Sequence, residues 1–263
     1  SAITRCRQTI SQDGKALPIR WDEQDRFCIN GQRLLLTSNG DYGDTGSYYK
    51  TEIDNFSYIK AVGGSAGHPN YFQVEGKDGS VTFYGKTADA RHSQGDDTYS
   101  WSISRFEDSV GNGIDYSYAN DADGMRLSQI DYAYGAGDSA NAHIELIYEA
   151  APRGDQLSAY IGGRIFRTAK RLTNIKTYNN DTLLRDYRLA YKGGTSVNGN
   201  SPPTISRLVS IEECAGDGTC LPETRFSWQS TKTAFAEHSD SSNYINMKNR
   251  HYLLDYRFAD ING

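Results

Sequence analysis

The chain has 263 residues, a formal net charge of −5 and an apolar fraction of only 37%. No uninterrupted apolar run reaches the roughly 18–20 residues that a bilayer requires, so a membrane-spanning helix is excluded. Aromatic residues at 12%, with 19 tyrosines, exclude a disordered chain, and the acidic balance gives no electrostatic case for nucleic acid or anionic lipid.

Taken from the N-terminus, the pattern is one of short extended runs divided by turn residues. Glycine is frequent (26) and proline scarce (6), and no apolar window keeps helical spacing over three turns. The expected fold is therefore all-β, with antiparallel hairpins and a meander forming a sandwich or a curved, shell-like sheet, and little helix. Asp41, Asp44, Glu52 and Asp54 surround Tyr42, Tyr48 and Tyr49. Paired carboxylates are the acid and base of glycosidases, and exposed tyrosines stack on sugars, although acids in such loops more commonly set turns. Gly63-Gly64-Ser65-Ala66-Gly67 matches the nucleophile elbow literally. That elbow needs a helix after the serine, and none is predicted, so the run reads as a glycine-rich hairpin loop.

Phe72–Glu75 and Val81–Tyr84 alternate around Lys77-Asp78-Gly79-Ser80, and two further runs flank Gly111-Asn112-Gly113; both read as hairpins. A repeat follows. Arg126-Leu127-x-x-Ile130, Arg171-Leu172-x-x-Ile175 and Arg207-Leu208-x-x-Ile211 each precede a second strand ending in Tyr148, Tyr191 or Trp228. The three hairpins, 126–148, 171–191 and 207–228, are expected to lie side by side with those aromatics facing the core. Leucine and isoleucine three apart point to opposite faces of a regular strand, so either both faces are covered or a bulge intervenes. Residues 138–141 and 192–203 read as exposed loops.

The expected organisation is a β-rich domain over 1–229, then a linker and the start of a further module over 230–263. Both ends read as cut from a longer polypeptide. Asp260 and Asn262, before Gly263, look like the opening of an acidic calcium loop, or a bare Asx turn. Cys6 and Cys28 lie 22 apart, and Cys214 and Cys220 flank a predicted turn. Local pairing as Cys6–Cys28 and Cys214–Cys220 suits an oxidising compartment; four reduced thiols are the alternative, and no spacing completes a zinc ligand set. The five histidines (His68, His92, His143, His238 and His251) show no metal or catalytic spacing.

Several stretches together resemble the N-terminal domain of the Salmonella virulence plasmid B protein family, which also opens the B subunits of insecticidal toxin complexes and many Rhs/YD-repeat proteins. They are Ile3-Thr4-Arg5-Cys6, the run from Asp25 to Leu34, Tyr49-Lys50-Thr51-Glu52-Ile53-Asp54-x-Phe56, Phe72-x-Val74-x-x-Lys77-Asp78-Gly79 with Tyr84-Gly85, and Trp101 through Asn112. Phe258 to Gly263 resembles the entry to an FG-GAP, integrin-like repeat. The resemblance implies a non-catalytic shell or scaffold module of a large secreted bacterial toxin-like protein. It implies no catalytic residues and no cofactor in this stretch, with calcium only in a longer chain. Its partners would be other domains of the same chain and a toxin-complex C-type protein. A carbohydrate- or cell-surface-binding module using Tyr42, Tyr48 and Tyr49 is the alternative, and a glycosidase using Glu52 the distant one.

Overall fold

A computed structural model describes residues 1–38, 40–134, 139–194 and 205–229. The chain divides into a unit Ser1–Phe226 and a unit Ser227–Gly263. The expected hairpin 207–228 and linker 230–263 therefore straddle or follow that division. Asp260, Asn262, His238 and His251 lie outside the described residues, as do the turn 135–138 and most of the loop 192–203.

The first nine strands are β1 (Ala2–Cys6), β2 (Arg26–Ile29), β3 (Gln32–Leu36), β4 (Tyr48–Thr51), β5 (Tyr58–Val62), β6 (Tyr71–Glu75), β7 (Val81–Tyr84), β8 (Arg91–Gln94) and β9 (Asp97–Glu107). Strands β1 to β7 pair antiparallel in succession, and β7 pairs β9. Strand β9 then returns to β1, with Ala2, Ile3 and Thr4 opposite Ser102, Trp101 and Ser100. These pairings close a ring of eight strands. A ring of about eight is just narrow enough for its own side chains to fill the interior. Ile3, Phe27, Leu34, Tyr49, Ile59, Phe72 and Trp101 do so. Phe27 and Phe72 meet the indole of Trp101 edge-on at 5.5 and 5.2 Å, the arrangement that ring quadrupoles favour.

The short helix α1 (Ile10–Asp13) is set locally. Thr9 Oγ1 accepts from Gln12 N, Asp13 accepts from Thr9 N at 2.8 Å, and Gly14 ends the turn at φ 70°. Thus fixed, the Asp13 carboxylate reaches Arg26 at 3.0 Å and Arg33 at 2.9 Å.

The second half is an open sheet. Strands β10 (Gly113–Asp121), β11 (Gly124–Tyr134), β12 (Ala142–Tyr148), β15 (Leu172–Asn179), β16 (Thr182–Lys192), β17 (Arg207–Ala215) and β18 (Thr224–Arg225) pair in that order outward from β9. Strands β13 (Leu157–Ile161) and β14 (Arg164–Thr168) form a separate hairpin. Its Phe166 packs beside Trp21, His92 and Tyr99, centroids 6.1, 4.8 and 5.1 Å away. Trp21 Nε1 donates to Gly162 O at 2.7 Å. This hairpin straps the closed ring. The all-β expectation holds, and of its two forms the curved sheet is the one adopted.

Candidate functional site

One end of the ring is plugged by a buried ion pair. Arg5 Nη1 lies 3.0 Å from Asp25 Oδ2, and both side chains are essentially inaccessible. Such a pair is tolerated only when its remaining valences are filled. Arg5 Nε donates to Thr98 O and Nη2 to Gly67 O, both at 2.7 Å, and Asp25 accepts from Arg20 N and Trp21 N. The one local signal that Arg5 faces inward is the alternation of β1, which puts it on the same face as Ile3.

The glycine run beside this plug is a hairpin loop, not a nucleophile elbow. Ser65 and His68 exchange backbone bonds, Ser65 N to His68 O at 3.3 Å and His68 N to Ser65 O at 2.8 Å. A Cβ on Gly64 would lie 2.0 Å from His68 O, and one on Gly67 would lie 2.7 Å from Glu23 N. Close approach explains the glycines, and no catalytic serine follows from them. Three of the four acids are likewise engaged. Glu52 accepts from Gln12 Nε2 at 2.9 Å, Asp54 pairs with Lys50 at 3.7 Å, and Asp44 accepts from Asp41 N.

Two of the three tyrosines proposed to stack on sugar are not surface groups. Strand β4 alternates outward and inward, so Tyr48 is exposed while Tyr49 is 1% exposed within the ring. Tyr42 packs against the same core; its hydroxyl donates to Leu34 O at 3.0 Å and accepts from Phe27 N at 2.8 Å. Burial pushes both phenols above their ordinary pKa. That leaves Tyr48, whose ring faces Lys60 Nζ at 5.2 Å. The sugar platform is not assembled.

Both cysteine pairs are joined, Cys6 to Cys28 between the adjacent strands β1 and β2, and Cys214 to Cys220 across the turn after β17. Glu212 adjoins the second pair, but its sulfurs are committed to each other and offer no thiolate to a metal.

The repeat builds a surface. In each unit the ladder skips one residue after the leucine: Ser128, Thr173 and Val209 are the extra residues of three bulges. Bulging restores phase. Leu127 and Ile130 then oppose Tyr118 and Tyr116, Leu172 and Ile175 oppose Tyr148 and Leu146, and Leu208 and Ile211 oppose Tyr191 and Leu189. Each partner pair is two residues apart on its own strand, so every Leu and Ile lies on one face. The hydroxyls of Ser128 and Thr173 donate to Ser117 O and Ile147 O at 3.0 and 3.1 Å, filling the interrupted ladder. The other face carries Asp131, His143, Glu145, Lys176, Asp186 and Arg188 in the same registers. The sheet is amphipathic across its width.

The arginine of the repeat locks its tyrosine. Arg126 lies 5.6 Å from the Tyr148 ring and pairs with Asp121; Arg171 lies 5.2 Å from Tyr191 and pairs with Glu149. Arg126 holds the Asp121 carboxyl down at about 2. Tyr148 and Tyr191 are half-buried as a result. Trp228 departs from the expected core position and is 57% exposed. Strand β18 pairs only through Thr224 and Arg225, so the ladder stops before the tryptophan.

Residues 20–145, just under half of the chain, match the model of the Salmonella virulence plasmid 65kDa B protein family, SpvB. The resemblance to SpvB holds. No curated protein sequence matches the chain. Among solved structures, the N-terminal domain of effector protein SpvB from Salmonella typhimurium strain LT2 is 19% identical with a TM-score of 0.61, covering 81% of this chain and 86% of that one. A crystal structure of TcdB2-TccC3-Cdc42 aligns at TM-score 0.66 and 17% identity over 88% of this chain. The Photorhabdus luminescens Tc holotoxin pore aligns at 0.65 and 17% over 87%. In both toxin-complex structures the match spans 14% of the other chain. At these identities the likeness establishes a shared fold: the SpvB-like ring and sheet.

Proposed function

We propose that the chain is a non-catalytic shell module of a large secreted bacterial toxin-like protein, where it helps enclose or deliver a C-terminal effector. The observation that carries this reading is the amphipathic open sheet. It extends seven strands beyond β9 and keeps an apolar, tyrosine-rich face whose leucines and isoleucines are only half-buried in the described residues. A lone soluble domain gains little from so large a half-covered apolar face; a wall around an enclosed segment needs one. The shared fold with toxin-complex chains supports the same reading, as do the contacts that hold Asp44, Glu52 and Asp54 in the fold. On this reading the partners are other domains of the same chain and a C-type protein, as TccC3 accompanies TcdB2.

Sequencing the coding DNA outward and expressing the full polypeptide tests it. Limited proteolysis should leave a downstream effector segment protected in the parent and cleaved in Leu146→Asp/Leu189→Asp, with Trp101 fluorescence unchanged. No downstream effector, or equal cleavage in both, would overturn the proposal.

A further inference from the structure

The plugged end of the ring holds a polar cavity of about 330 Å³, lined by Arg5, Ser65, His68, Asn70, Arg91 and Asp96 among others. Its size is near the lower end of ligand pockets, which span roughly 300–1,000 Å³. Elsewhere the chain shields its partly buried arginines with carboxylates: Arg33 with Asp13, Arg153 with Asp155, Arg171 with Glu149. Arg91 is different. It is half-buried, and its Nη1 donates only to the carbonyls of Asn70 and Gly85, at 3.2 and 3.1 Å. Its Nε and Nη2 have no hydrogen-bond partner among the described residues, and no carboxylate pairs with it. A partly desolvated guanidinium without a counter-charge is costly unless an anion completes it.

His68 adds a second donor. Its Nδ1 faces Arg5 Nη2 at 3.4 Å, and since a guanidinium can only donate, Nδ1 accepts and the ring proton sits on Nε2. The side chains of Ser65 and Asn70 make no hydrogen bond among the described residues, and the Asp96 carboxylate is likewise without a partner. The site therefore offers charged donors, neutral side chains that both donate and accept, and one carboxylate. A dianionic phosphate would be opposed by Asp96 and would fill little of the volume.

We propose that this cavity binds a small hydroxylated carboxylate of monosaccharide size, a sugar acid. Its carboxylate takes Arg91 and His68, and its hydroxyls take Ser65, Asn70 and Asp96. The glycine run supplies the wall: Gly64 and Gly67 permit the close turn that brings His68 to Arg5. This site is independent of the shell reading and of the apolar sheet face.

The test is calorimetric titration of the 263-residue chain with glucuronate, N-acetylneuraminate, glucose and inorganic phosphate. One or both sugar acids should bind saturably at millimolar concentration, with glucose and phosphate weaker. Arg91→Gln should weaken the bound acid about tenfold or more, the loss expected for one charge-assisted contact. Arg91 also supports two carbonyls, so Ser65→Leu provides a second variant on the exposed rim. It should weaken binding comparably with an unchanged melting temperature. The proposal is overturned if neither acid saturates, if glucose or phosphate binds as well, or if Ser65→Leu leaves affinity intact.

Discussion

The two halves of this chain solve the problem of burying a β-sheet in opposite ways. Residues 1–107 close on themselves, so every strand of the ring has two neighbours and the interior is sealed around Trp101, which is 0% exposed. Beyond residue 107 the sheet remains open, and its leucines, isoleucines and tyrosines stay half-buried on one face. Closure removes sheet edges and produces a core that does not depend on anything outside it. The open sheet satisfies its backbone but leaves its apolar face for another layer. Strand β9 belongs to both: Ser100, Trp101 and Ser102 pair β1, and its last residues pair β7 and β10.

If that contrast is right, truncations in the ring should cost far more than truncations in the sheet. Trp101→Ala should lose about 3–5 kcal/mol in urea unfolding, whereas Leu189→Ala on the half-buried face of the sheet should lose about 1 kcal/mol. Comparable losses would break the comparison outright. Removing the ring's disulfide by Cys6→Ser with Cys28→Ser should cost about 3.4 kcal/mol. Removing Cys214–Cys220 should cost about 2.4, because it closes a shorter loop in the unfolded chain. Parallel thermal melts of the two double variants give the order.

The ring should also lose stability in acid. Burial of Asp13 pushes its pKa up, but the bond from Thr9 N and the Arg33 and Arg26 guanidiniums outweigh that and hold it below the ordinary value. A depressed carboxylate contributes stability above its unfolded pKa of about 4 and loses it as pH falls through the native value. Asp13→Asn should therefore lower stability at pH 7 by roughly 1.5–3 kcal/mol and flatten the decline below about pH 4. The smallest effect is expected on the sheet's apolar face. Leu146→Ala should cost about 1 kcal/mol in this chain, since only part of its area leaves water. In the longer polypeptide the same substitution should cost more, because a covering layer would complete the burial; equal losses would mean that the face has no cover.

Much of the architecture was legible locally. The turns at Lys77–Ser80 and Gly111–Gly113 join strands as their glycines and aspartates indicated, with Gly76 N bonded to Ser80 O and Asp108 N to Asn112 O. The R-L-x-x-I repeat was visible as spacing, and the ambiguity of its two faces was visible too. Only the ladder showed that a bulge after each leucine resolves it. Tyr42 and Tyr49 were misread because an aromatic in an acidic run carries no sign of direction. The orientation of Tyr49 follows from the register of β4 against β3 and β5, and Tyr42, in the loop between β3 and β4, is held inward by its hydroxyl's bonds to Phe27 N and Leu34 O. Arg91, with Lys77 and Lys86, reads in sequence as too sparse for an anion patch, because a lone arginine says nothing about whether a carboxylate will reach it.

By itself the sequence determined the all-β class, the turns at Lys77–Ser80 and Gly111–Gly113 and the repeating second half, and it favoured the local cysteine pairs, because each depends on residues within one turn or one strand pair. Tertiary structure alone decided the closed ring, whose seam joins residues 2–4 to 100–102. It also decided which polar side chains were sealed inside and which were left facing an open cavity. Ring closure is a non-local choice of register among many strands. It is settled when the whole interior is filled at once, and no short stretch of residues encodes it.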